Sequence, residues 1–282
     1  MNPPLWVSAL LGVDGIAWKA YRLMEIVRDE ALFGWLDHRY YDVVTQASYE
    51  TLRAYLPGGA THEAGLFPWE IDMISSPPFP SSGTILLGGA GGGRELAGLL
   101  ARGYHVVAFE PNPVLVRGAL VTAGASPSAV VVQASYRDLV QTVHSRRGPL
   151  SDAVSGRAFD GVILGWGSLT HVIQPEDRHA LLAALRTIAP HAPVLASFFL
   201  RQEHGRQSAP TGGQRARAAV RRVFHCLGAN PQTPAGLSFQ RSGGFVYSFL
   251  QEEIIELAAS CRYQVEKFSE REFPHALLVP DS

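Results

Sequence analysis

Short apolar runs and amphipathic stretches alternate along most of this chain. Thr84-Ile85-Leu86-Leu87 is apolar with no polar face, as expected of a central parallel strand covered on both sides. From Arg94 onward, Leu96, Leu99 and Leu100 recur at helical spacing, and Tyr104 to Phe109 returns to a strand pattern. Val130 to Val132, the stretch opened by Phe159-Asp160, and Pro193 to Leu200 predict three further strands. Residues 177–189, with Leu181, Leu182, Leu185 and Ile188 on one face, predict a helix. Towards the end, Ser248-Phe249-Leu250-Gln251 reads as a capping box opening a helix through Ser260. Tyr263 to Phe268 and His275 to Val279 would then close the sheet as a hairpin. Ahead of the first strand, helices are expected over Ile16–Leu32 and Tyr40–Leu56, the latter carrying Tyr41, Val44, Ala47, Leu52 and Tyr55. This alternation specifies an α/β fold around a mainly parallel sheet.

Between the first strand and its helix lie Gly88, Gly89, Ala90, Gly91, Gly92 and Gly93. Missing or minimal side chains let the backbone turn sharply and let a ligand approach it. The free N–H groups at the start of the following helix favour a carboxylate or phosphate. Glu110 stands at the tip of the second strand, where a carboxylate can accept two hydrogen bonds from a ribose cis-diol. Gly89, Gly91 and Gly93 form a G-x-G-x-G pattern, and Glu110 follows at a distance that fits one helix plus one strand. Together these features describe a nucleoside-cofactor pocket.

In the dinucleotide fingerprint the pattern is usually G-x-G-x-x-G; here the third glycine comes one residue early, and Glu110 is followed by Pro111, Asn112 and Pro113. At this point the chain resembles the class I S-adenosylmethionine-dependent methyltransferases, from residue 84 to the C-terminus apart from one insertion. The resemblance implies a seven-stranded, mainly parallel Rossmann-like sheet with its seventh strand antiparallel, and a cofactor contacted by Gly89, Ala90, Gly91, Gly93, Arg94, Glu110 and Pro111. Ser135 and Tyr136 would border the adenine, with Ser135 where the family commonly has Asp. Gly165, Trp166 and Gly167 would end the fourth-strand motif at the reaction site. The family's acid two residues before the first motif glycine is Leu87 here, so support for the cofactor's amino group must come from elsewhere, with Arg94 and Glu95 as candidates. The implied chemistry is methyl transfer from S-adenosyl-L-methionine to a small-molecule acceptor, leaving S-adenosyl-L-homocysteine. Oxygen is preferred over nitrogen, and natural-product biosynthesis is the expected setting.

Residues 1–83 are expected to form an N-terminal helical lid that binds substrate, and 84–282 the cofactor-binding catalytic domain, with an arginine-rich insertion at about 201–243. In the lid, Tyr40, Tyr41, Trp69 and Glu70 are candidates for the acceptor pocket. His171, just after the fourth-strand motif, is the candidate base or acceptor-positioning residue, with His38, His62 and Glu70 as fallbacks. A base is required only if the acceptor must lose a proton. The insertion carries Arg201, Arg206, Arg215, Arg217, Arg221, Arg222 and Arg241 against one acid, Glu203. It reads either as an electropositive rim for an acidic acceptor or as a solvated helix, Gln214 to Leu227, buried along Val220, Val223, Phe224 and Leu227.

Composition narrows the field. At 282 residues and 46% hydrophobic the chain can bury a sizeable core, and a net charge of −1 supplies no drive towards nucleic acid or anionic membrane. Cys226 and Cys261 have neither disulfide-framework nor metal-site spacing. Pro3, Pro4 and Asp14, with no basic residue before Lys19, argue against a signal peptide, and no run is long and uncharged enough to span a bilayer. A cytoplasmic enzyme without a metal is expected; a homodimer is compatible with the sequence but not inferable from it. Two other readings stay open: a nicotinamide-dependent oxidoreductase, although no Ser-Tyr-Lys set is evident, and a protein that binds the sulfonium cofactor without transferring methyl.

Overall fold

The computed structural model describes residues 4–201, 212–228 and 235–281. In chain order the helices and strands are α1 (Leu5–Trp35), α2 (Tyr41–Tyr49), α3 (Ala60–Glu63), α4 (Pro68–Ile74), β1 (Thr84–Gly88), α5 (Arg94–Leu100), β2 (His105–Glu110), α6 (Pro113–Ala123), β3 (Ala129–Gln133), α7 (Tyr136–Ser145), α8 (Ser151–Val154), β4 (Gly161–Leu164), α9 (Pro175–Ile188), β5 (Val194–Ser197), β6 (Phe199–Leu200), α10 (Gly212–Cys226), β7 (Leu237–Gln240), β8 (Gly244–Phe249), α11 (Gln251–Ser260), β9 (Tyr263–Ser269) and β10 (His275–Pro280). They form two compact units, Met1–Tyr41 with Glu203–Phe239, and Asp42–Gln202 with Gln240–Ser282. The N-terminal segment read as one piece, 1–83, is thus shared between them.

The first unit is a helix pair, α1 against α10. Asp29 and Glu30 of α1 are buried. Arg217 reaches Asp29 at 3.0 Å, and Arg221 grips both oxygens of Glu30 at 2.6 and 3.0 Å. Trp35 meets Phe224 edge-on, ring centroids 4.6 Å apart. Two arginines of the insertion are therefore spent on neutralising buried carboxylates, which speaks for the helix reading over the electropositive rim. Arg206 and Glu203 lie outside the described residues.

The second unit is built on a seven-stranded sheet in the order β3-β2-β1-β4-β5-β10-β9. The first five strands of that order are mutually parallel, and β10 runs antiparallel to both neighbours. β1 lies between β2 and β4, which explains its lack of a polar face: Leu86 joins the core under α7, α9 and α11, while Ile85 and Leu87 join the core under α4, α5 and α6. Leu87, at the family's acidic position, is fully buried there. Each such leucine contributes about 1.5–3 kcal/mol by leaving water.

Four expected elements differ. The helix read over Ile16–Leu32 runs from Leu5 to Trp35. The helix read over Tyr40–Leu56 stops at Tyr49, and a 3-10 turn, Arg53–Tyr55, follows. Ser48 and Thr51 hydroxyls take carbonyls of the last helical turns, Val44 and Ser48, at 3.0 and 3.3 Å, a local competition that weakens helices. The strand read over Pro193–Leu200 divides into β5 and β6. The capping box is displaced as well: Ser248 belongs to β8, held in the strand by parallel pairing of Phe199 with Ser248 and Leu200 with Phe249. Helix α11 begins after Leu250, whose N–H donates to Glu253 Oε2 at 2.8 Å.

Candidate functional site

At the C-terminal edge of β1, β2 and β4 the glycine turn takes the shape its spacing implies. Gly89, Gly91 and Gly93 have φ of +67°, +55° and +98°, left-handed backbone that residues with a Cβ adopt at a cost. Ala90 N–H closes the turn onto Phe109 C=O at 3.1 Å. Glu110 is buried beside it, accepting from Gly91 N–H through one oxygen and Asn112 N–H through the other, each at 3.0 Å. Burial pushes the Glu110 carboxyl up to about 7, against the pull of these two backbone donors. Pro111 lies between Glu110 and Asn112. The Asn112 side chain caps α6 through Val114 and Leu115 N–H, and donates to Gln46 C=O of α2 at 2.9 Å.

The segment after α2 covers this turn. A side chain at Gly92 would strike the Tyr55 carbonyl, and one at Gly118 would approach Leu56 and Pro57, so the glycines admit the covering chain as well as a ligand. Below, His62 Nε2 lies 2.9 Å from Thr122 Oγ1, which also reaches Gly92 C=O at 3.0 Å. His62 therefore braces the turn from outside. Gly165 completes the floor: its N–H bonds Gly88 C=O at 2.7 Å, and any Cβ there would collide with Gly89 C=O. Gly167, at φ +69°, donates its N–H to Ser197 Oγ at 2.8 Å.

Arg94, the first residue of α5, is buried in an ionic cluster. Its guanidinium takes both oxygens of Glu70 at 2.6 Å, Glu95 Oε1 at 2.7 Å and Gly65 C=O at 2.7 Å, with the Phe67 ring 4.1 Å away. Glu70 Oε2 also accepts Phe67 N–H at 2.7 Å, so both Glu70 oxygens are occupied. Glu95 Oε1 accepts Trp166 N–H at 2.9 Å. The Trp166 ring is walled by Tyr55, Phe67 and Phe273, and its indole N–H is buried without a partner.

His171 sits in a 3-10 turn, Ser168–His171, after β4. Its Nδ1 lies 3.0 Å from Phe245 C=O and its Nε2 3.0 Å from the Tyr49 hydroxyl. A carbonyl only accepts, so Nδ1 carries the proton and Nε2 receives Tyr49 O–H. Burial depresses the His171 pKa, and burial raises that of Tyr49. Tyr136 packs edge-on against Phe109 and bonds Ser168 Oγ at 2.6 Å. The Ser135 hydroxyl is engaged locally, accepting from Asp138 N–H at 3.1 Å and donating to Asp138 Oδ2 at 2.7 Å.

Gly89, Ala90, Gly91, Gly93, Arg94, Glu110, Gly165, Trp166 and Gly167 thus gather around one turn. Trp69 is stacked on His275 at 4.6 Å and packed into the core. Tyr40 and Tyr41 belong to the first unit, Tyr40 exposed and Tyr41 buried; His38 there is exposed beside Asp37. Tyr49, Asn112 and the site position of Tyr55 were missed by sequence reasoning. Asn112 had a signal, since Asn before Pro113 is a strong N-cap pattern; nothing local marked Tyr49. Among the described residues no cluster suited to a metal occurs and no helix is long and apolar enough to cross a membrane.

No family model and no curated protein matches the chain. Solved structures do. A SAM-dependent methyltransferase of Methanosarcina mazei superposes with a TM-score of 0.51 at 17% identity, covering 76% of this chain and 96% of its own. The Burkholderia thailandensis 1,6-didemethyltoxoflavin-N1-methyltransferase, solved with 1,6-didemethyltoxoflavin and S-adenosylhomocysteine, gives 0.52 at 17%, covering 87% and 91%. A SAM-dependent methyltransferase of Leishmania major gives 0.51 at 13%, covering 85% and 82%. With this strand order, glycine turn and terminal acid, the chain has the class I SAM-dependent methyltransferase fold.

Proposed function

We propose that this protein is an S-adenosylmethionine-dependent methyltransferase acting on a small-molecule acceptor. The observation that carries the reading is Glu110, a buried carboxylate at the tip of β2, held by Gly91 and Asn112 N–H beside a turn left-handed at three alternate glycines. These residues fit the cofactor. Glu110 would hold the ribose, the turn and the start of α5 would take the methionine portion, and Tyr136 would flank the adenosine. The unpaired Trp166 N–H supports a ligand here too, since a buried donor without a partner costs about 1–3 kcal/mol that a ligand acceptor offsets. When bound, the group supplies a methyl carbon on a positively charged sulfur.

The chain's own residues supply enclosure and a place for a proton. The segment after α2 lies over the turn and excludes water, which strengthens every charge interaction beneath it. A hydroxyl or protonated amine acceptor must lose a proton. Tyr49 O takes that proton as it passes its own to His171 Nε2, while Nδ1–H stays on Phe245 C=O; the imidazolium releases it to solvent afterwards. The relay serves a hydroxyl as well as a protonated amine; we prefer oxygen over nitrogen and favour a natural product as the substrate class, although the Burkholderia enzyme of the same fold is named as an N1-methyltransferase. Two free cysteines, one exposed and one buried, fit a reducing cytoplasm. Neither nucleic acid nor membrane is inferred as a partner.

Isothermal calorimetry with S-adenosylhomocysteine and with NAD tests the reading. Micromolar affinity for the former, no heat from the latter, and a loss of at least tenfold in Glu110→Ala are expected. NAD binding with no response to S-adenosylhomocysteine would point to the oxidoreductase instead. Incubation with a methyl-labelled cofactor and a panel of phenols and amines, read as one added methyl by mass spectrometry, separates a transferase from a binding protein.

A further inference from the structure

We propose that Glu95 holds the α-ammonium group of the cofactor, in place of the acid that this chain lacks at Leu87. The inference rests on the function proposed above and deepens it. Three charged side chains are buried together, each about 5–6% exposed: Glu70 and Glu95 against the single cation Arg94. Two carboxylates facing one guanidinium leave one negative charge uncompensated, and a buried charge is tolerated when a partner supplies the opposite sign. The two acids are not equivalent. Glu70 uses both oxygens, bound bidentately by Arg94 and by Phe67 N–H. Glu95 uses one: Oε1 takes Arg94 Nη2 and Trp166 N–H, and no partner for Oε2 is found among the described residues.

The open oxygen belongs to a residue wedged between the glycine turn and β4. Trp166, whose N–H fixes Glu95, follows Gly165, and Gly165 is pressed on the Gly89 carbonyl. Burial is the main cause of the raised pKa of Glu110, Tyr55 and Tyr136, three groups around the same turn, and the negative charge of Glu95 adds to it at each. A cationic ligand group placed there meets an acceptor already oriented by two donors and supplies the missing charge. Of the acids in the second unit, Glu110 is committed at the other end of the turn and Glu70 has no oxygen to offer.

The test compares S-adenosylhomocysteine with its deamino analogue, identical in adenosine and carboxylate, by calorimetry. Wild-type protein is expected to bind S-adenosylhomocysteine about tenfold or more tightly than the analogue, the range of a charge-assisted hydrogen bond. Glu95→Gln keeps an acceptor for Trp166 N–H and Arg94 but loses the charge; it should bind the two ligands within about twofold, with affinity for the analogue unchanged. Three results overturn the proposal: no discrimination by the wild type, wild-type discrimination retained in E95Q, or equal loss of both ligands in E95Q, which marks a structural role. Failure of the underlying function is distinct, because neither ligand would then bind the wild type. The wild-type comparison stands even if E95Q does not fold.

Discussion

Glu110 and the Tyr49–His171 pair carry the sharpest predictions at the scale of single residues. Glu110 titrates near 7 because burial disfavours its charge more than Gly91 and Asn112 N–H favour it. A carboxyl whose folded pKa exceeds its unfolded value stabilises fully below the unfolded pKa, near 4.5, and that stability is lost as pH rises through about 7. Urea unfolding of wild type against Glu110→Gln should therefore show a stability difference that shifts by up to about 3 kcal/mol between pH 4 and pH 8, against the wild type at the higher pH. Binding runs the opposite way. The ionised form is the diol acceptor, so S-adenosylhomocysteine affinity should fall as pH drops below 7, and the fall should vanish in the Gln variant. For the proton path, Tyr49→Phe keeps the ring and removes the relay, and His171→Asn can keep both hydrogen bonds while offering no base. With an acceptor from the panel, each should lower kcat by about 10²-fold, within the range of general-base catalysis, while leaving cofactor affinity within twofold. Near-normal kcat in His171→Asn would make the pair a structural clasp. Of these residues only Glu110 and His171 were legible in the sequence, because each follows a strand whose pattern placed it; Tyr49 gains its meaning from a partner 122 positions away.

Among the elements, α4 and α5 are joined by the Arg94–Glu70 pair, two bonds at 2.6 Å deep in the second unit. Arg94→Met leaves Glu70 and Glu95 buried without their cation, and a loss of about 3–5 kcal/mol in chemical denaturation is expected. A loss under 1 kcal/mol would show that water reaches the cluster freely. The start of α5 is equally constrained: Gly93, at φ +98°, would place a Cβ 2.9 Å from the Thr122 side chain, so Gly93→Ala should cost about 1–3 kcal/mol. The seven strands of the large sheet and helices α5, α9 and α11 were legible from periodicity because each buries a regular face, whereas α6 and α7 were not read in the sequence. The boundaries that moved did so for reasons outside their own segments. β8 runs through Ser248 because it pairs with β6, which displaced the cap to Leu250, and the segment after Tyr49 leaves the helix to cover the glycine turn.

For the whole molecule, the two units divide the charge differently from a reading of the arginines alone. Within the first unit Arg217 and Arg221 answer the buried Asp29 and Glu30, so Arg221→Ala should destabilise α1 and α10, seen as faster proteolysis of that unit, and should leave S-adenosylhomocysteine affinity unchanged. If instead the variant resists protease like the wild type, the pair contributes little, as exposed pairs often do. In the second unit, ligand at a hundredfold excess over Kd should add about 2.7 kcal/mol by mass action, and a melting temperature that does not respond to S-adenosylhomocysteine would count against the pocket. The sequence by itself determined the α/β class, the glycine turn and the terminal acid, because strand burial, left-handed backbone and chain direction are local and periodic properties. Only the tertiary structure decided which tyrosine meets His171, which glutamate keeps an open oxygen, and which arginines are already paired. Those are matters of distance between residues far apart in the chain, and no local pattern encodes them.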